Sequence, residues 1–167
     1  WSSTFVRRAI ESDARFSMTH RVVTSRGLSN TGGPAPESLR DPASLMEFAT
    51  IVVGAPETLT SADVAALEAF MRERGGSVVV LMDGANVGQF DRLTGVTTWR
   101  SSRTNAPASF RDASGFGSLQ GRELSWPALP PAGLTSYAVS LARDSTNRPI
   151  VWSIPVGAGR LIVSGAL

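Results

Sequence analysis

Residues 49–82 read ATIVVGAPETLTSADVAALEAFMRERGGSVVVLM, and this stretch decides the fold class. Ala49 to Gly54 and Ser77 to Met82 are short apolar runs rich in valine, the pattern of strands buried on both faces in a parallel sheet. Between them, Thr60 and Asp63 stand three residues apart. That spacing lets the Thr60 hydroxyl accept the Asp63 N–H while the Asp63 carboxylate reaches back, a capping box with Asp in the place of Glu. Val64, Leu67, Phe70 and Met71 then recur at helical spacing, and Gly75-Gly76 stops the helix. Strand, helix and strand together predict a βαβ unit over 49–82.

Outward from this unit the pattern is less regular. Ser2-Ser3-Thr4 offers N-cap hydroxyls, and Phe5, Val6, Ala9 and Ile10 share a face, which predicts a helix ending near Ala14. Arg15 to Thr24 alternates, with Phe16, Met18, His20 and Val22 on one side, as in a strand covered on that side. Ser25 to Pro42 is rich in Gly, Pro, Ser and Asn and reads as a long loop. Downstream, Val87, Phe90 and Leu93 suggest a short helix and Val96 to Arg100 a strand. Residues 101–133, broken by Pro107, Pro127, Pro130 and Pro131, read as irregular. Tyr137, Val139 and Leu141 alternate as a strand, and Ile150–Ile154 with Leu161–Ser164 flank Gly157-Ala158-Gly159 as a hairpin. The expectation is a single α/β domain over 1–167, with a mainly parallel central sheet and a C-terminal antiparallel hairpin. Because the chain opens on a helix and stops just after a strand, the natural protein is expected to be longer, with a further strand upstream.

Composition narrows the function classes. With 167 residues, 42% of them hydrophobic and 18% charged, the chain has the make-up of one packed domain. The isoelectric point near 10.3 suggests nucleic acid at first sight, yet the formal net charge is only +2. All sixteen basic residues are arginine, which raises the isoelectric point without a large field at neutral pH. They are scattered, so no nucleic-acid partner is expected. There is no cysteine, which removes disulfides, thiolate chemistry and Cys-based metal sites and leaves the compartment open. No apolar run approaches the ~20 residues that span a bilayer, so no membrane insertion by this segment is expected.

The phrases Ile51-Val52-Val53-Gly54-Ala55-Pro56, Leu59 to Phe70 and Gly75 to Leu81, taken in that order, resemble the class I glutamine amidotransferase-like superfamily. The likeness is to its non-amidotransferase branches, which include trehalose-utilisation-like proteins and a domain of some β-galactosidases. Val156-Gly157-Ala158-Gly159-Arg160 with the apolar strand behind it is similar to the ending of bacterial envelope proteins that carry such a domain. The resemblance implies a flavodoxin-like three-layer sandwich and partners among other domains of a longer chain or envelope proteins.

In the catalytic branch of that superfamily a cysteine follows the strand matching Ser77–Met82. Here the turn reads Asp83-Gly84-Ala85-Asn86-Val87-Gly88-Gln89, so that Asp83, Gly84 or Ala85 would stand at the nucleophile's place, depending on the anchor. The lone histidine, His20, precedes the turn, and glutaminase activity is excluded. Asp83 remains the one weak catalytic candidate: a nucleophile, general base or ligand anchor at the end of a central strand, or a carboxylate capping the next helix. Gly54, Ala55, Asp83, Gly84 and Asn86 are the candidate ligand-binding residues. His20 reads as a hydrogen-bonded core or edge residue, since no metal-ligand cluster accompanies it, and neither metal nor cofactor is expected. Gly157–Arg160 lacks the lysine and the following helix of a phosphate loop. Trp126, Trp152 and Phe116 read as packing residues ahead of a carbohydrate-binding surface.

Overall fold

The computed structural model describes residues 2–24, 27–33, 36, 38–82, 87–99, 107–110, 123–125 and 129–165. Its helices are α1 (Ser2–Glu11), α2 (Pro42–Leu45) and α3 (Ser61–Ala69), and its first strands are β1 (His20–Thr24), β2 (Gly27–Gly32), β3 (Thr50–Val53), β4 (Ser77–Leu81) and β5 (Val96–Trp99). Then follow β6 (Pro107–Phe110), β7 (Glu123–Ser125), β8 (Pro131–Leu134), β9 (Val139–Asp144), β10 (Pro149–Val156) and β11 (Gly159–Ser164). The main sheet has seven strands in the order β3-β4-β11-β10-β9-β6-β7, while β1-β2 and β5-β8 form two-stranded antiparallel sheets of their own.

The βαβ unit forms as its sequence predicts. β3 pairs with β4 in parallel, and both halves of the Thr60–Asp63 capping box are made. Thr60 N–H donates to Asp63 Oδ2 at 2.9 Å, and Asp63 N–H to Thr60 Oγ1 at 3.3 Å. The Thr60 hydroxyl is the main cause that holds the Asp63 carboxyl below its ordinary pKa, with the Arg40 guanidinium adding to it. α3 passes into a π-helical turn over Phe70–Arg74, and Gly75 at φ 72° closes it. Sequence-distant glycines meet here: a Cβ on Gly159 would collide with the carbonyls of Met71 and Gly76. The hairpin turn between β10 and β11 therefore rests directly on the π-helical turn that follows α3.

The expected mainly parallel sheet is corrected. Only the β3-β4-β11 edge is parallel, and the pairings β11-β10, β10-β9, β9-β6 and β6-β7 are antiparallel. The tight turns joining β9 to β10 and β10 to β11 allow no other direction. β2 occupies part of the expected Ser25–Pro42 loop, and β6, β7 and β8 lie in the stretch read as irregular. β3, read as buried on both sides, is an edge strand of the sheet whose Val52 is 40% exposed.

Register assigns the side chains to faces. Ile51–Val78–Leu161 and Val53–Val80–Val163 are aligned rows on one face, continued by Ile154 and Trp152 on β10. These join Val64, Leu67, Phe70 and Met71 of α3 and its π turn in one core. The opposite face carries Thr50, Val52, Ser77, Val79, Arg160, Ile162, Ser153 and Pro155, none of which is fully buried.

Candidate functional site

The C-terminal ends of the parallel strands are where open α/β sheets hold ligands. After β3 the chain turns through Gly54 and Ala55 into a 3-10 turn at Pro56–Thr58. The Ala55 carbonyl accepts both the Thr58 N–H at 3.1 Å and the Thr58 hydroxyl at 2.7 Å, so its polar capacity is used inside the turn. After β4, Met82 is buried and its N–H donates to the Ser164 carbonyl of β11 at 3.0 Å. Gly88 has φ +56°, and a Cβ there would lie 3.0 Å from both Glu57 Cα and the Pro56 oxygen. The residues flanking the turn after β4 therefore close onto the turn after β3.

Gly54, half-buried, and Ala55, exposed, stand at this sheet end. Asp83, Gly84, Ala85 and Asn86 lie outside the described residues. The next helix is a 3-10 segment, Gly88–Leu93, whose N-cap position is Val87.

Trp152 belongs to the core. It is fully buried, donates its Nε1–H to the carbonyl of buried Thr94 at 2.8 Å, and lies 6.1 Å from the Trp99 ring at a 56° tilt. Trp126 and Phe116 are outside the described residues. His20 begins β1, in the two-stranded sheet β1-β2, with Nε2 3.4 Å from Arg7 Nη1 and Nδ1 3.8 Å from Glu11 Oε1. Among the described residues no three His, Cys, Asp or Glu side chains gather as metal ligands, and no helix is long and apolar enough to cross a membrane.

One buried carboxylate escaped the sequence reading. Asp144, at the end of β9, accepts from the N–H groups of Thr146 and Arg148, both at 2.9 Å, from the Thr146 hydroxyl at 2.8 Å and from Arg148 Nε at 2.7 Å. Burial alone would raise its pKa, but the donors from Arg148 and Thr146 together outweigh burial and bring it below the ordinary value. Asn147, at φ 64°, completes the turn. The signal was available: Asp followed by Ser-Thr-Asn is a turn-forming run in which a carboxylate binds the backbone ahead of it. Asp144 is a structural group that fixes the β9–β10 turn.

The other feature missed is the half-open face described above. Its row Val52–Val79–Ile162–Ser153–Val139 is continuous across five strands. Val52 and Val139 at its ends are 40% and 57% exposed. Alternation in the sequence marks such residues as strand, without saying which side is covered.

No family profile matches the sequence, and no curated protein is similar to it. Solved structures of similar fold include a β-galactosidase from Bacillus circulans sp. alkalophilus, with 16% identity, a TM-score of 0.54 and coverage of 77% of this chain and 21% of that one. The carbohydrate deacetylase Agd3 matches with 15% identity and a TM-score of 0.54, over 86% of this chain and 23% of its own. A cytoplasmic protein of Salmonella typhimurium matches with 10% identity and a TM-score of 0.55, over 79% of this chain and 64% of its own. The chain thus spans about a fifth of the β-galactosidase it matches. At these identities the likeness is one of fold.

Proposed function

We propose that the chain is a non-catalytic class I glutamine amidotransferase-like domain, with the flavodoxin-like arrangement of that superfamily, acting as a binding or assembly module of a larger bacterial envelope protein. The observation that carries this reading is the absence of cysteine from the whole sequence. Amide transfer in the superfamily needs a thiolate with a histidine beside it, and the one histidine here stands between Arg7 and Glu11 on a separate hairpin. The fold likeness to a fifth of a β-galactosidase chain supports a module within a longer protein. The test is turnover by the purified chain on L-glutamine, p-nitrophenyl acetate and p-nitrophenyl glycosides. The reading expects rates equal to buffer; turnover abolished by Asp83→Ala overturns it.

The likeness to a carbohydrate deacetylase favours a second reading. In it the chain is a hydrolase of non-thiol mechanism, acting through Asp83 on a small polar or sugar-like substrate held by Gly54, Ala55, Gly84 and Asn86. Acetate release from N-acetylated amino-sugar oligomers, lost in Asp83→Ala, is the outcome that selects it.

A further inference from the structure

We infer that the half-open face of the seven-stranded sheet docks an amphipathic helix of a partner protein that carries carboxylates beside its apolar stripe. This rests on the assembly-module reading and names the surface and the chemistry of the partner.

Three observations carry the inference. The first is the distribution of exposed apolar residues. Five large hydrophobics stand exposed among the described residues, Phe16, Val22, Val52, Tyr137 and Val139. Val52 and Val139 close the two ends of the row that runs through Val79 and Ile162, and Tyr137 precedes Val139 by two residues. At ~4.8 Å per strand the row is ~19 Å long, enough to seat three to four helical turns.

The second is the sheet's other side. There β3, β4, β11 and β10 pack in one core with a helix, α3, through Val64 and Leu67, and with Phe70 and Met71 beyond it. Parallel strands are ordinarily buried by helices on both faces, so the covering suited to the second face is again an apolar helical stripe.

The third is charge. Arg160, exposed on this face two residues before Ile162, makes no side-chain ion pair or hydrogen bond with any described residue, whereas Arg40, Arg72, Arg92 and Arg148 each hold a carboxylate. The strand residues that form the face, from Thr50 and Val52 through Ser77, Val79 and Ile162 to Ser153, include no Asp or Glu. A partner that brings a carboxylate satisfies Arg160; the same stretch of β3, β4, β11 and β10 in a second copy brings only another arginine.

The experiment titrates the whole chain against two fluorescein-labelled synthetic helices of about 18 residues. Both carry leucines at i, i+3, i+4 and i+7; one flanks them with glutamates, its twin with lysines. Fluorescence anisotropy should show the acidic helix binding about tenfold tighter than the basic one. Val52→Glu and Val139→Glu, at exposed sites and verified as folded by their Tm, should each weaken it about tenfold. Arg160→Glu should invert the preference between the two helices, and Val22→Glu on the β1-β2 hairpin should change nothing. Absence of binding by the folded wild type, or binding indifferent to Val52→Glu and Val139→Glu, overturns the inference. Sedimentation that shows self-association abolished by Val139→Glu also overturns it, because a second copy then covers the face. A negative binding result leaves the non-catalytic reading standing, since turnover alone decides that one.

Discussion

Val79 and Val80 are neighbours in β4 and identical in chemistry, yet Val80 is fully buried while Val79 is only half-buried. The two faces of the sheet differ in the same way along the row through Val79, although Leu81, farther along β4 on the same side as Val79, is buried. One is filled by Trp152, Leu161, Val163 and the side chains of α3. The other ends in exposed Val52 and Val139, with Arg160 beside the row. The difference teaches that apolar content along a strand does not identify the core. Register and the covering helix do, and a face that is apolar and only partly covered is where association energy is available.

The largest effect should come from the filled face. Trp152→Ala removes a buried indole and leaves the Thr94 carbonyl without its donor, so urea denaturation should show a loss of about 3–5 kcal/mol. Next is the Asp144 turn at the end of β9, which holds β10 in place beneath that core. Asp144→Ala should cost about 2–3 kcal/mol. Because the folded pKa of Asp144 lies below its unfolded value, its contribution is complete above the unfolded pKa and disappears as pH falls through the folded one. Wild type and Asp144→Asn should therefore differ by a constant amount above about pH 5 and converge below about pH 4. Thr60→Ala, which opens the capping box of the helix covering the filled face, should cost about 1 kcal/mol in the same assay. Val52→Ser and Val139→Ser should each stay within about 0.5 kcal/mol, because neither removes a packed side chain.

Much of the filled face was legible in the sequence. The runs Ile51–Val53 and Ser77–Leu81, the Thr60–Asp63 box and the Gly75 stop are local signals, and local physics builds them. Gly157-Ala158-Gly159 likewise announced the hairpin, although its contact with Met71 and Gly76 came only from the fold. What stayed hidden is non-local. β2 exists through its pairing with β1, and β6 through its pairing with β9; neither has a strong apolar alternation of its own. The edge position of β3 could not be read either, since Thr50-Ile51-Val52-Val53 has the composition of a central strand. Of the candidate site, Gly54 and Ala55 fall at the expected strand end, whereas Asp83, Gly84 and Asn86 lie outside the described residues. Val139 was legible as a strand residue, whereas Tyr137, expected in the same strand, lies in the turn that precedes β9; the exposure of both was not legible, because alternation is silent about what covers each side.

The contrast between faces is tested most directly on β11, where Leu161 and Ile162 are adjacent and point to opposite sides. Urea denaturation of Leu161→Ala should show a loss of about 3 kcal/mol, and of Ile162→Ala about 1 kcal/mol. Losses within about 0.5 kcal/mol of each other would mean that the second face is as well packed as the first, leaving no surface for a partner to cover.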